Sequence, residues 1–101
     1  MIDWPDATCA ELVGYRIKRR RTELGLTQDQ LAELVGIKRE NISRTERGLA
    51  EPTLDTIERY AVALKTSFTD LVAAIDGVRR QDPPDPDVVV ELDGMRWVDF
   101  E

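Results

Sequence analysis

A chain of 101 residues with 42% hydrophobic and 34% charged side chains has room for one small globular domain and a tail, and its composition excludes wholesale disorder. One cysteine and no histidine exclude an internal disulfide, a zinc site and Ser-His or Cys-His catalysis, so no enzyme activity and no cofactor is expected. The net charge is -6, yet residues 15–48 hold nine basic side chains against five acidic ones, whereas residues 82–101 hold seven acids and only Arg96.

The first residues, "MIDWPDATCAEL", have neither a basic n-region nor a long apolar h-region. No apolar run approaches the ~20 residues that span a bilayer. A cytoplasmic protein away from membranes is therefore expected. Cys9 reads most simply as a small residue near a helix start.

Thr8 followed by Glu11 is a capping box, in which hydroxyl and carboxylate satisfy each other's backbone N–H groups. It opens a first helix carried by Leu12, Val13, Ile17, Leu24 and Leu26 and ending near Gly25. Arg21 lies at i+4 from Ile17 and i-3 from Leu24, on the inward face, where a guanidinium needs a partner. Arg16, Lys18, Arg19 and Arg20 read as solvated charge with some phosphate steering. Thr27 and Gln30 form a second capping box, opening a helix with Leu31, Ala32 and Val35 inward and Gly36 as its stop. After Ile37 a third helix runs to about Arg47 and ends at Gly48. Ile42, Thr45 and Glu46 share its inner face, which makes Glu46 the expected partner of Arg21 in a structural ion pair.

Pro52-Thr53 starts a fourth helix, with Leu54, Ile57, Tyr60, Ala61 and Leu64 on one stripe. Ser67 and Asp70 suggest the cap of a fifth, with Phe68, Leu71, Val72 and Ile75 apolar before Gly77. The expected organisation is a helical domain over 8–77, a Pro/Asp-rich linker over 78–87 and a terminal segment over 88–101. In that segment Asp93-Gly94 is a type I' turn signal between β-formers, so a short β-hairpin is expected, with a disordered acidic tail as the alternative. An isolated hairpin is marginal in water and needs its own helical body, a second subunit or a partner protein to pack on.

The stretch "LGLTQDQLAELVGIKRENISRTERG", followed by "PTLDTIERYAVAL", resembles the helix-turn-helix domain of the phage repressor and Cro (XRE-like) family over roughly residues 10–76. The pattern has physical content: Ala32 is small where two helices cross, and Gly36 suits a turn that needs positive φ. The fold class implied is mainly α, a five-helix lambda-repressor-like domain, here with the hairpin extension; a generic helical bundle is the alternative. Two positions depart from the family pattern. Thr45 stands where an aliphatic core residue is usual, and Lys38 stands where Ser or Thr would cap the third helix.

The resemblance implies that the third helix enters the major groove of double-stranded DNA, with Lys38, Arg39, Glu40, Asn41 and Arg44 at groove-facing positions. Arg39 and Arg44 suit guanine O6/N7, Asn41 adenine N6/N7, and Glu40 cytosine N4. Gln28, Thr27 and Arg47 are the expected backbone contacts, Gln28 also orienting a base-reading side chain. The plainer alternative is a solvated helix face, with Glu40 pairing Arg44 for about 0.2–0.5 kcal/mol. The implied function is a sequence-specific transcriptional regulator, most simply a homodimeric repressor. A second possibility is an antitoxin that autoregulates its operon and covers a basic toxin protein with its acidic C-terminal segment.

Overall fold

The computed structural model describes residues 7–79. Among them five helices follow in order: α1 (Cys9–Glu23), α2 (Gln28–Val35), α3 (Arg39–Glu46), α4 (Leu54–Ala63) and α5 (Phe68–Arg79). Their starts are chemically marked. Thr8 accepts the Glu11 N–H at 3.0 Å while its own N–H donates to Glu11 Oε1 at 2.8 Å, and Thr27 and Gln30 repeat the exchange at 3.1 and 2.9 Å. Thr53 accepts from Thr56 at the head of α4, and Ser67 from Asp70 at the head of α5. Only Lys38, before α3, makes no side-chain cap.

The turn from α2 to α3 needs a residue without a Cβ. Gly36 has φ 83, and its N–H and that of Ile37 both donate to the Ala32 carbonyl, closing the helix within one residue. A side chain there would cost about 1–2 kcal/mol of left-handed strain.

The helices enclose one aliphatic core built from Val13 and Ile17 of α1, Leu31, Ala32 and Val35 of α2, Ile42 of α3, Ile57, Tyr60 and Ala61 of α4, with Leu64 beyond it, and Leu71 of α5. Helix α1 is the central element, packing on both α3 and α5, while α2 packs on α3 and α4. The contact with α3 depends on Gly14. A Cβ at that position would collide with the Thr45 carbonyl oxygen and press on the Glu46 backbone. The glycine lets two helix backbones approach more closely than any side chain allows.

Several α1 arginines serve the fold rather than standing as solvated charge. Arg16 Nη2 donates to Asp70 Oδ2 at 2.9 Å, tying α1 to α5. Arg20 donates to the Leu64 and Lys65 carbonyls at 2.9 and 3.2 Å, satisfying the end of α4, where Lys65 takes left-handed backbone at φ 54. Arg19 lies near Tyr15 and Glu23. The Asp70 carboxyl is held below the usual carboxylate range, chiefly by the Thr66 hydroxyl against the opposing effect of burial, with Arg16 and Arg20 adding to the lowering.

Three details differ from the sequence expectation. Leu54 heads α4 at 72% exposure instead of joining its buried stripe, and Ala74 is buried in α5 where periodicity named larger residues. Helix α5 runs through Gly77 to Arg79, because that glycine keeps helical backbone at a cost of only about 1 kcal/mol. The rest of the expected linker, and the hairpin expected over 88–101, lie outside the described residues.

Gly14→Ala is expected to lower stability by about 1–3 kcal/mol, since the added methyl meets backbone rather than a movable side chain. Denaturant unfolding checks this; a change within about 0.5 kcal/mol, the range of neutral surface substitutions, would remove the close α1–α3 approach from the account.

Candidate nucleic-acid interface

Helix α3 divides cleanly into two faces. Ile42, Thr45 and Glu46 point inward and are buried, with Ile42 wholly inaccessible. Lys38, Arg39, Glu40, Asn41, Arg44 and Arg47 are all exposed. Thr45 stays packed beside Tyr60 despite its hydroxyl. Burial pushes the Tyr60 phenol above its ordinary value; the Thr45 hydroxyl opposes this without a formed hydrogen bond, and the Glu46 charge adds to it.

What holds α3 in this orientation is a buried carboxylate. The Glu46 side chain is 1% exposed. Arg21 of α1 donates Nε to its Oε2 at 2.7 Å and Nη2 to its Oε1 at 3.0 Å, a bidentate pairing. The third guanidinium nitrogen, Nη1, donates to the Leu26 carbonyl at 2.8 Å in the turn before α2. Gln28 of α2 completes the set, its Nε2 donating to Glu46 Oε1 at 3.0 Å. One carboxylate thus joins α1, α2 and α3. The structure brings Gln28 to the ion pair, with one amide N–H turned inward; its second amide N–H forms no hydrogen bond among the described residues.

The other expected contacts surround this point. Thr27 is exposed, its oxygen occupied by the α2 cap while its hydroxyl hydrogen is still available to a ligand. Arg47 bends back, Nε reaching the Ser43 carbonyl at 3.3 Å. Among the described residues Glu40 and Arg44 form no ion pair with each other; Arg39 instead lies 3.6 Å from Asp29 of α2. Sequence reasoning gave no role to Asp29, because the two residues belong to different helices and meet only across the turn.

Lys38 is the residue where the N–H groups opening α3 emerge without a protein cap. A lysine at the positive end of a helix is unfavourable by itself and becomes favourable when an anion bridges both. With Arg39, Arg44 and Arg47 nearby on the exposed side, the surface is shaped and charged for a polyanion with a groove of helix width.

A helix-turn-helix family model matches residues 17–71, which span α1 from its middle through the start of α5. The chain belongs to this helix-turn-helix family. It is 38% identical over 66 residues to an HTH-type transcriptional regulator of Sinorhizobium fredii, covering 65% of this chain and 86% of that protein. It is 42% identical over 60 residues to the immunity repressor of Bacillus phage phi105, covering 59% of this chain and 42% of that one. The solved restriction-modification controller protein C.AhdI of Aeromonas hydrophila superposes with a TM-score of 0.60 at 34% identity, over 61% of this chain and 94% of that structure.

Arg21→Ala leaves the Glu46 carboxylate buried without its cation and should cost about 3–5 kcal/mol. In thermal and denaturant melts, the Arg21→Ala/Glu46→Ala double variant should lose less than the sum of the two single variants. Additive losses would mean that the pair does not act as a unit.

Proposed function

We propose that this protein is a sequence-specific DNA-binding transcriptional regulator, acting as a repressor through occlusion of its operator. The single observation that supports this best is the division of α3: its inner face is locked on the core by Glu46, and its outer face presents Lys38, Arg39, Glu40, Asn41, Arg44 and Arg47. A rigid helix with that face suits the major groove, where arginine reads guanine and asparagine reads adenine. Lys38, Thr27, Gln28 and Arg47 contact phosphate in this reading and set register; Arg39, Asn41 and Arg44 carry base preference, with Glu40 reading cytosine or holding a neighbour.

The family relationship supports the same reading, since its named relatives are transcriptional regulators and a phage repressor. One helix of eight residues offers few base contacts, so we propose a symmetric dimer on two half-sites about one helical turn, ~34 Å, apart. The acidic composition of residues 82–101 would then oppose non-specific attraction to phosphate and leave binding to the shaped face. The toxin-binding alternative rests on that same segment, outside the described residues, and no observation favours it.

Titration of duplexes from the protein's own upstream region, at several salt concentrations, tests this. Lys38→Ala should weaken binding to all sequences alike and reduce the log-log salt slope by about 1. Arg44→Ala should relax preference at one base pair by about 1–3 kcal/mol. Two variants that bind as wild type does would contradict the placement of α3 in the groove.

A further inference from the structure

Asp29 is the second residue of α2 and Arg39 the first of α3. Their side chains meet across the helix-turn-helix corner, Arg39 Nε lying 3.6 Å from Asp29 Oδ1, with 60% and 78% of the side chains exposed. This is an ion-pair contact rather than a formed hydrogen bond. A pair so open to solvent contributes little to folding. An acid in the first turn of α2 is explained by the helix dipole, but the dipole does not explain why Arg39 reaches back to it.

The position of the contact on the guanidinium is informative. The group is a planar fork with five N–H donors, and the edge formed by Nη1 and Nη2 is the one that spans guanine O6 and N7. Asp29 engages the Nε side. Among the described residues, the Nη nitrogens form no hydrogen bond, and no residue other than Asp29 pairs with Arg39. A long exposed arginine otherwise has many rotamers, and every one it must give up on binding weakens recognition. A carboxylate beside the groove also repels phosphate unless a cation covers it.

We propose that Asp29 is a positioning residue for base reading: its carboxylate holds Arg39 by Nε so that the Nη edge faces a guanine in the major groove. The proposal rests on the DNA-binding reading given above and assigns to Asp29 a specificity role exerted entirely through Arg39. Removing the carboxylate therefore reduces discrimination at one base pair without reducing general affinity for DNA. General affinity is unchanged or higher, because a negative charge has left the interface.

Selection from a random duplex pool with wild type, Arg39→Ala and Asp29→Asn tests it. Arg39→Ala marks the base pair that Arg39 reads. At that pair alone, Asp29→Asn is expected to lose about two- to fivefold of the guanine preference, with other positions unchanged and affinity for random duplex equal or greater. Thermal melting of the variant should stay near wild type. An unchanged preference at that pair overturns the proposal, and so does a uniform loss at all positions, which is what a helix-dipole role through α2 stability would give. A wild-type protein that enriches no motif overturns the DNA reading itself, and this inference with it, before any variant is compared.

Discussion

A fully buried carboxylate has to be paid for, and in this fold the payment determines where α3 points. Removing Glu46 from water costs several kcal/mol, which only close, well-directed donors can offset. Those donors come from two other helices: the Arg21 fork from α1 and the Gln28 amide from α2. Neither can move without leaving charge or amide unsatisfied, so α3 is fixed in rotation as well as in distance. Gly14 serves the same end by letting α1 approach the Thr45–Glu46 backbone at contact distance. The backbone of α3 is thus held against the core, which fixes where its outward face points, while the exposed side chains on that face keep their own rotamer freedom.

The uneven charge of the chain also makes sense on this frame. Much of the positive charge of α1 is used internally: Arg16 on Asp70, Arg20 on the end of α4 and Arg21 on Glu46. Among the described residues, Lys38, Arg39, Arg44 and Arg47 stand exposed together at α3, on the side away from the core. A net charge of -6 is therefore no obstacle to binding a polyanion. Attraction is local, within roughly a Debye length of ~8–10 Å, and is set by which side chains are uncommitted there.

What could be read from sequence was local or periodic. The Thr8 and Thr27 capping boxes involve residues three apart, so the residues that start α1 and α2 are visible without a structure. Arg21 and Glu46 could be matched because a charge on an inward helical face demands a partner, and few candidates exist. The rest depends on which residues meet across the fold. Gly14 looks like an ordinary mid-helix glycine until α3 is laid against it. The inward turn of Gln28 follows from a carboxylate 18 residues away, and the Asp29–Arg39 contact from the angle at Gly36. Leu54 shares the period of buried residues yet heads its helix in solvent, since periodicity names a face and not its depth.

Methylation interference on the protein's own upstream DNA tests the central claim most directly. Methylating guanine N7 alters the major groove, whereas methylating adenine N3 alters the minor groove. A helix seated in the major groove predicts that N7 methylation blocks binding at a few guanines, in two clusters about one helical turn apart for a dimer. Interference confined to adenine N3, or none at either position despite binding, would contradict an account in which the exposed face of α3 reads the bases.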